Sequence, residues 1–256
     1  MSEMRPIIFV LVLVGCWLLQ SGFPRRAQQT TGSRLIGNFG LMLGGSFLLW
    51  LVVPLGALGA AAWASENHWG LLQLADLPPA LIVIATVILM DCAIYWQHRA
   101  MHQWPLLWRL HRVHHSDLQL DTSSGVRFHP VEILLSMFYK MAVVIALGAS
   151  AEAVLIYEVL LSSFALFNHS NWAMPADALI RKFVVTPDVH RVHHSVTESE
   201  TNSNYGNLLV LWDKLFGSYI NQPSAGHDEM TIGLEQYRAP DSQRLLTLFT
   251  NPFGKK

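Results

Sequence analysis

The chain has 256 residues, of which 52% are hydrophobic and 14% charged, and its formal net charge is -1 at pH 7. That balance is too apolar for an ordinary soluble enzyme, and it provides no global field for nucleic acid, of which no binding motif appears. The two cysteines, Cys16 and Cys92, stand alone in apolar segments and form neither a disulfide framework nor a zinc-finger pattern.

A bilayer crossing takes roughly 20 mostly apolar residues. The first candidate, Ile7 to Leu19, is short and follows Arg5. A cleavable signal peptide has a similar look, but Gln20 to Pro24 offers no Ala-x-Ala-like site, and Arg25, Arg26 and Arg34 suit a retained anchor. Next come Phe39 to Trp63, with Gly40 and Gly44 spaced as a helix-packing GxxxG, and Leu81 to Trp96. The stretch Ile133 to Phe167 is about twice one crossing. The Gly148-Ala149-Ser150 at its centre predicts a hairpin of two helices, 131–149 and 151–168. Lys140 stands alone inside it, marking either a site-facing position or a shallower helix.

Lys and Arg set the orientation. The segment Ala64 to Pro79 has none, whereas 24–38, 97–130 and 169–256 hold nearly all the rest. Five crossings with the N-terminus outside place those three segments in the cytoplasm.

Histidine carries the chemistry. Ten of the twelve lie between Trp96 and Ser195. The third apolar segment runs on into Asp91, Tyr95, His98 and His102, close to one helical face, with the two histidines at i and i+4 able to reach one ion. Then HRVHHS supplies His111, His114 and His115, and the same six letters return as His190, His193 and His194. Eight imidazoles are too many for one ion, so two metals are the economical reading. Imidazole suits iron, zinc, copper and nickel, and the motifs lack the carboxylates that favour magnesium or manganese. His169, where the fifth helix reaches the cytoplasmic face, has the depth for a ninth ligand. His129 is read as either a ligand or a residue at the mouth of the site, and His68 and His227 as ordinary hydrogen-bonded histidines. Metal-bound histidines commonly give their second N–H to a carboxylate. Asp91 and Asp188 are the candidates for that support, with helix capping the alternative for Asp188, and Asn204 and Asn207 as further supports.

Together Asp91 to His102, LWRLHRVHHS at 107–116, Arg127 to Glu132, His169-Ser170-Asn171, TPDVHRVHHS at 186–195 and NYGNLLVLWDKLFGSY at 204–219 resemble the fatty acid hydroxylase and sterol desaturase superfamily in its short bacterial form. The resemblance implies an all-α integral membrane bundle of four to five crossings, with a cytosolic histidine-rich helical cap holding a non-haem di-iron centre. It implies a lipid hydroxylase or desaturase of the bacterial inner membrane that uses dioxygen and takes electrons from a separate ferredoxin or cytochrome with its reductase. It carries metal roles to the eight motif histidines and to His169, while zinc can replace iron in recombinant material. Some relatives space the first pair as HxxxxH and carry more histidines near His169. The expected domains are 1–37, a membrane helix and basic linker; 38–220, the family-like domain; and 221–256, a tail. Two rivals remain. A zinc hydrolase needs a catalytic Glu beside the ligands, as in HExxH, and no histidine motif contains one; a non-catalytic metal- or lipid-binding protein has no reason to keep every ligand.

Overall fold

A computed structural model describes residues 4–28, 31–74, 76 and 78–254. Its main helices are α1 (Met4–Gly22), α2 (Gly32–Val52), α3 (Gly56–Glu66), α4 (Pro79–Gln103), α5 (Pro105–His115), α6 (Pro130–Leu147), α7 (Ala151–His169), α8 (Pro187–His193) and α9 (Leu245–Thr250). Loops and short helical turns join them, the longest stretch running from α8 to α9, and among the described residues there is no extended strand, only isolated bridges such as Val184 to Leu209.

Five segments are long and apolar enough to cross a membrane: α1, the stretch Gly32–Leu74 that contains α2 and α3, α4, α6 and α7. Their outer faces leave Leu11, Leu18, Trp50 and Ile84 exposed, the pattern of helices solvated by lipid. The hairpin expected at 131–149 and 151–168 is found. Gly148 ends α6 in the left-handed region at φ 66°, and Ser150 Oγ accepts from Ala153 N to start α7. Gly70, at φ 113°, abuts this turn so closely that a Cβ there would stand 2.1 Å from Gly148 N.

Two expectations change. The stretch Phe39 to Trp63 is not one helix: α2 stops at Val52 and α3 restarts at Gly56, because Pro54 lacks the N–H and collides with the preceding turn. Ala57, Ala60, Ala61 and Ala64 of α3 are buried, and this small-residue face packs on α6 and α7 around Val144, Val154 and Tyr157. The GxxxG of α2 packs mainly against the short α9, with Pro130 at the start of α6 also 3.4 Å from a Cβ on Gly44. A Cβ on Gly40 would meet Leu245 at 2.7 Å and one on Gly44 would meet Phe249 at 3.1 Å, so the stripe seats α9.

The chain direction determines where the site lies. α4 and α7 bring their C-termini, and α6 its N-terminus, to the end of the bundle that carries the histidine motifs. α1 reaches the same end, where Gln20 Oε1 accepts from Thr122 N at 3.0 Å and Asn171 N at 3.1 Å. The segment joining α3 to α4 lies at the opposite end, against the α6–α7 turn.

Candidate metal centre

Short, stiff elements carry the rings. α5 starts at Pro105 and α8 at Pro187, each at a first-turn position that needs no N–H, and Thr186 Oγ1 accepts from Val189 N. α5 buries His111, His114 and His115; α8 buries His190 and His193, with His194 at its C-cap. The nine expected ligands fall into two groups. His98, His102, His111, His115 and His193 form one; His114, His169, His190 and His194 form the other, each with nitrogens within 4.8 Å of one another.

The rings are aimed by their far sides. Nδ1–H donates to a backbone carbonyl at His98 (Tyr205 O, 2.8 Å), His114 (Arg127 O, 3.1 Å), His169 (Ala165 O, 2.6 Å) and His193 (Ser203 O, 2.6 Å). His111 Nδ1 donates to Glu132 Oε1 at 2.6 Å, and His102 Nδ1 to Asn202 Oδ1 at 3.3 Å. A neutral imidazole that donates from Nδ1 keeps its lone pair on Nε2. Two pairs of such Nε2 atoms face each other at 3.1 Å, His98 with His111 and His114 with His169, and His190 Nε2, on a ring whose Nδ1 has no partner, lies 3.1 Å from His169 Nε2 and 3.2 Å from His194 Nε2. Two lone pairs at that distance repel, whereas two nitrogens bound at ~2.1 Å to one ion near a right angle stand about 3 Å apart. The Nε2 atoms of His102, His115 and His193 are buried with no hydrogen-bond partner. Burial, and then the neighbouring histidines, push the His114, His115, His190, His193 and His194 imidazoles well below their ordinary range, so they are neutral donors at pH 7. The residues fit a pair of imidazole-bound metal ions.

A cavity of about 410 Å³ reaches both groups, touching His98 and His111 of one and His114, His169 and His190 of the other. It runs between α1, α2, α4, α6 and α7 as far as Lys140 and Glu158. Lys140 is therefore a cavity residue rather than the mark of a shallow helix, and its Nζ pairs with Glu158 Oε1 at 2.6 Å.

The remaining sequence candidates lie apart from the ligand groups. His129 caps α6 by accepting from Val131 N with Nδ1, and its Nε2 donates to Phe249 O at 3.2 Å. It belongs to neither group and does not line the cavity. Asp91 accepts from Leu208 N, Leu209 N and Trp212 Nε1, so it holds the loop that carries the Tyr205 carbonyl rather than a histidine. Asp188 pairs with Arg191 and Arg25 beside His227. Asn204, at φ 50°, ties Val189 O to Ile220 O through Nδ2 and accepts from Ile220 N. Asn207 reaches Leu161 O.

Sequence reasoning missed the carboxylate that does touch a ring. In the sequence Glu132 stands out only within the Arg127 to Glu132 segment, and its signal is an acidic residue in the first turn of an apolar helix. It also missed a buried polar brace. Arg34 meets Asp117 and Asp121, both at 2.6 Å, and Arg127 reaches Asn38 Oδ1 at 2.9 Å and Val113 O at 2.8 Å, which fixes the backbone whose carbonyl orients His114. Burial pushes the Asp117 carboxyl up, but Arg34 and Arg127 outweigh it and hold it at about 2.

A family model described as fatty acid hydroxylase matches residues 83–218, just over half of the chain. Ornithine lipid hydroxylase OlsE of Rhizobium tropici is 30% identical over 179 residues, which is 70% of this chain and 52% of the relative. Alkylglycerol monooxygenase of Homo sapiens is 28% identical over 145 residues, 56% of this chain and 31% of the relative. Delta(7)-sterol 5(6)-desaturase of Candida glabrata is 32% identical over 156 residues, 60% and 38% respectively. The matched stretches thus span about half or less of these relatives' length. No solved structure matches. The match covers most of α4 and all of α5, α6, α7 and α8, with all nine clustered histidines, and the chain belongs to the fatty acid hydroxylase family, within the superfamily that also holds the sterol desaturases.

Proposed function

We propose that the chain is an integral membrane, di-iron oxidoreductase that hydroxylates or desaturates a lipid. One observation carries this reading: two clusters of inward-facing imidazoles close one end of a mostly apolar cavity between membrane helices. His98, His102, His111, His115 and His193 would hold one ion, and His114, His169, His190 and His194 the other. Iron held there supplies the activation of dioxygen that C–H oxidation requires, and zinc is able to fill the same sites in recombinant material. The chain's own contribution is positional. The carbonyls of Tyr205, Arg127, Ala165 and Ser203 and the Glu132 carboxylate lock the rings, and the cavity walls exclude water and hold an alkyl chain against both clusters. The relatives' names include hydroxylase, monooxygenase and desaturase, and both outcomes stay within the proposal.

We take 38–220 as the domain that carries the site, flanked by 1–37 and 221–256. Electrons come from a separate ferredoxin or cytochrome with its reductase. The inner membrane with a cytoplasmic site is the placement that the segregation of Lys and Arg supports. Metal analysis joined to oxygen uptake under a reductant, with lipid products followed by mass spectrometry, tests the activity. Iron-loaded protein that consumes no oxygen with any acyl or sterol lipid would defeat it. Cysteine labelling at the exposed Ser65 and Ser199 tests the topology, since labelling of both from one side would overturn it.

A further inference from the structure

Charged residues inside a bilayer are costly, and a buried charge without a counterion is costlier still. The cavity nevertheless ends on two buried ones, Lys140 and Glu158, and on Arg5 from the first turn of α1, whose side chain is 39% exposed. Along α6 it is lined from Glu132, at the histidines, to Lys140; along α7 from His169 to Glu158. At 1.5 Å per residue these paths run roughly 12 and 16 Å. At the far end Glu158 Oε1 takes Lys140 Nζ at 2.6 Å and Glu158 Oε2 takes Arg5 Nη1 at 2.8 Å. The Glu158 side chain is 4% exposed and that of Lys140 13%. Both carboxylate oxygens are engaged, so two cations share one anion. The other acidic residue lining the cavity, Glu132, is bound to His111 at the opposite end. The wall between, with Ile94, Met101, Ile133, Met137 and Leu161, is mostly apolar and is interrupted by Ser46, Gln97, Ser136 and Ser162.

We infer that Lys140 and Arg5, held by Glu158, form a recognition site for the anionic group of a lipid whose alkyl chain extends through the cavity to the histidine clusters. An anion seated there supplies the missing counter-charge, and the spare N–H donors of Lys140 and Arg5 bind it with charge-assisted hydrogen bonds. The apolar wall takes the chain, and the distance from the cationic pair to the histidines sets which carbon lies at the metals. This assignment rests on reading the cavity as the lipid site proposed above.

The test uses the full-length, metal-loaded protein in detergent and three amphiphiles of equal chain length: hexadecanoate, hexadecanol and hexadecyltrimethylammonium. Each competes with a fluorescent fatty acid for binding. The carboxylate is expected to bind at least about tenfold tighter than the alcohol, the low end of what a hydrogen bond to a charged group contributes, and the cation weakest. Lys140→Gln should abolish the preference for the carboxylate while leaving alcohol binding within about twofold, and Lys140→Arg should keep the preference. Equal binding of carboxylate and alcohol by the native protein overturns the inference without any variant, and so does a Lys140→Gln protein that loses both ligands equally, since a purely structural ion triad predicts that. Binding is read without turnover. A protein that ranks the three amphiphiles as expected but consumes no oxygen upholds the recognition site and defeats the oxygenase reading alone.

Discussion

The five-histidine group takes the i and i+4 rings of the first HRVHHS turn, His111 and His115, and the i+3 ring of the second, His193. The four-histidine group takes the reverse: His190 and His194 from the second turn and His114 from the first. The two turns therefore serve both groups reciprocally, and the asymmetry comes from the crossing helices. α4 gives the first group a pair, His98 and His102, whereas α7 gives the second only His169. The first group also has the carboxylate contact and two partly exposed rings; the second is wholly buried. With one histidine removed, the first group still offers four nitrogens to its ion, whereas the second is left with three.

The largest effect should come from the rings that cross between the turns. His114→Ala and His193→Ala each remove a nitrogen from a site too dry to replace it without changing geometry, so turnover per folded protein should fall to background, with metal content measured on the same samples. Normal turnover with two metals in both variants would make the repeat merely structural. The asymmetry is sharper in the next pair. His190→Ala should empty the four-histidine group, while His102→Ala should retain both ions with weakened affinity; equal metal loss in the two would erase the distinction. Glu132→Gln keeps a hydrogen-bond acceptor for His111 but removes its charge, and metal affinity or activity should drop about 10- to 100-fold, the usual range for such outer partners.

A smaller effect follows from protonation. The unfolded chain's histidines take up protons below about pH 6.5, whereas the buried His114, His115, His190, His193 and His194 titrate well below that. Unfolding then binds protons, so stability is fully present above about pH 6.5 and declines as pH falls below it. Thermal unfolding of metal-free protein between pH 7.5 and 5 measures this, and a midpoint that rises on acidification would contradict the burial. His68→Ala and His227→Ala should leave turnover close to normal, because neither residue lies in a ligand group.

Much of this was legible in the chain. Apolar runs of crossing length reported α4, α6 and α7, because a bilayer imposes the length, and Gly148 marked the hairpin through the left-handed turn that it permits. The nine clustered histidines were readable because helical spacing fixes which rings share a face. Hydropathy hid the break at Pro54, since an interrupted helix is as apolar as a continuous one. Asp91 and Asp188 were legible as unusual but not as to partner: a loop folding back from Leu208 to Trp212 claims Asp91, and arginines claim Asp188. The carbonyls that orient four rings carry no side-chain signature, so Tyr205, Arg127, Ala165 and Ser203 could not be picked from residue type. His129 resembled a ligand because an imidazole that caps a helix and one that binds a metal are the same letter.

The most direct test is an experimental structure of iron-loaded protein, with anomalous scattering recorded at the iron edge. Two iron peaks are expected, one among His98, His102, His111, His115 and His193 and one among His114, His169, His190 and His194. They should lie about 3–6 Å apart, given that bridged pairs lie near 3.5–4 Å. A single peak in fully active crystals, or two peaks with either histidine group turned away from both, would contradict it.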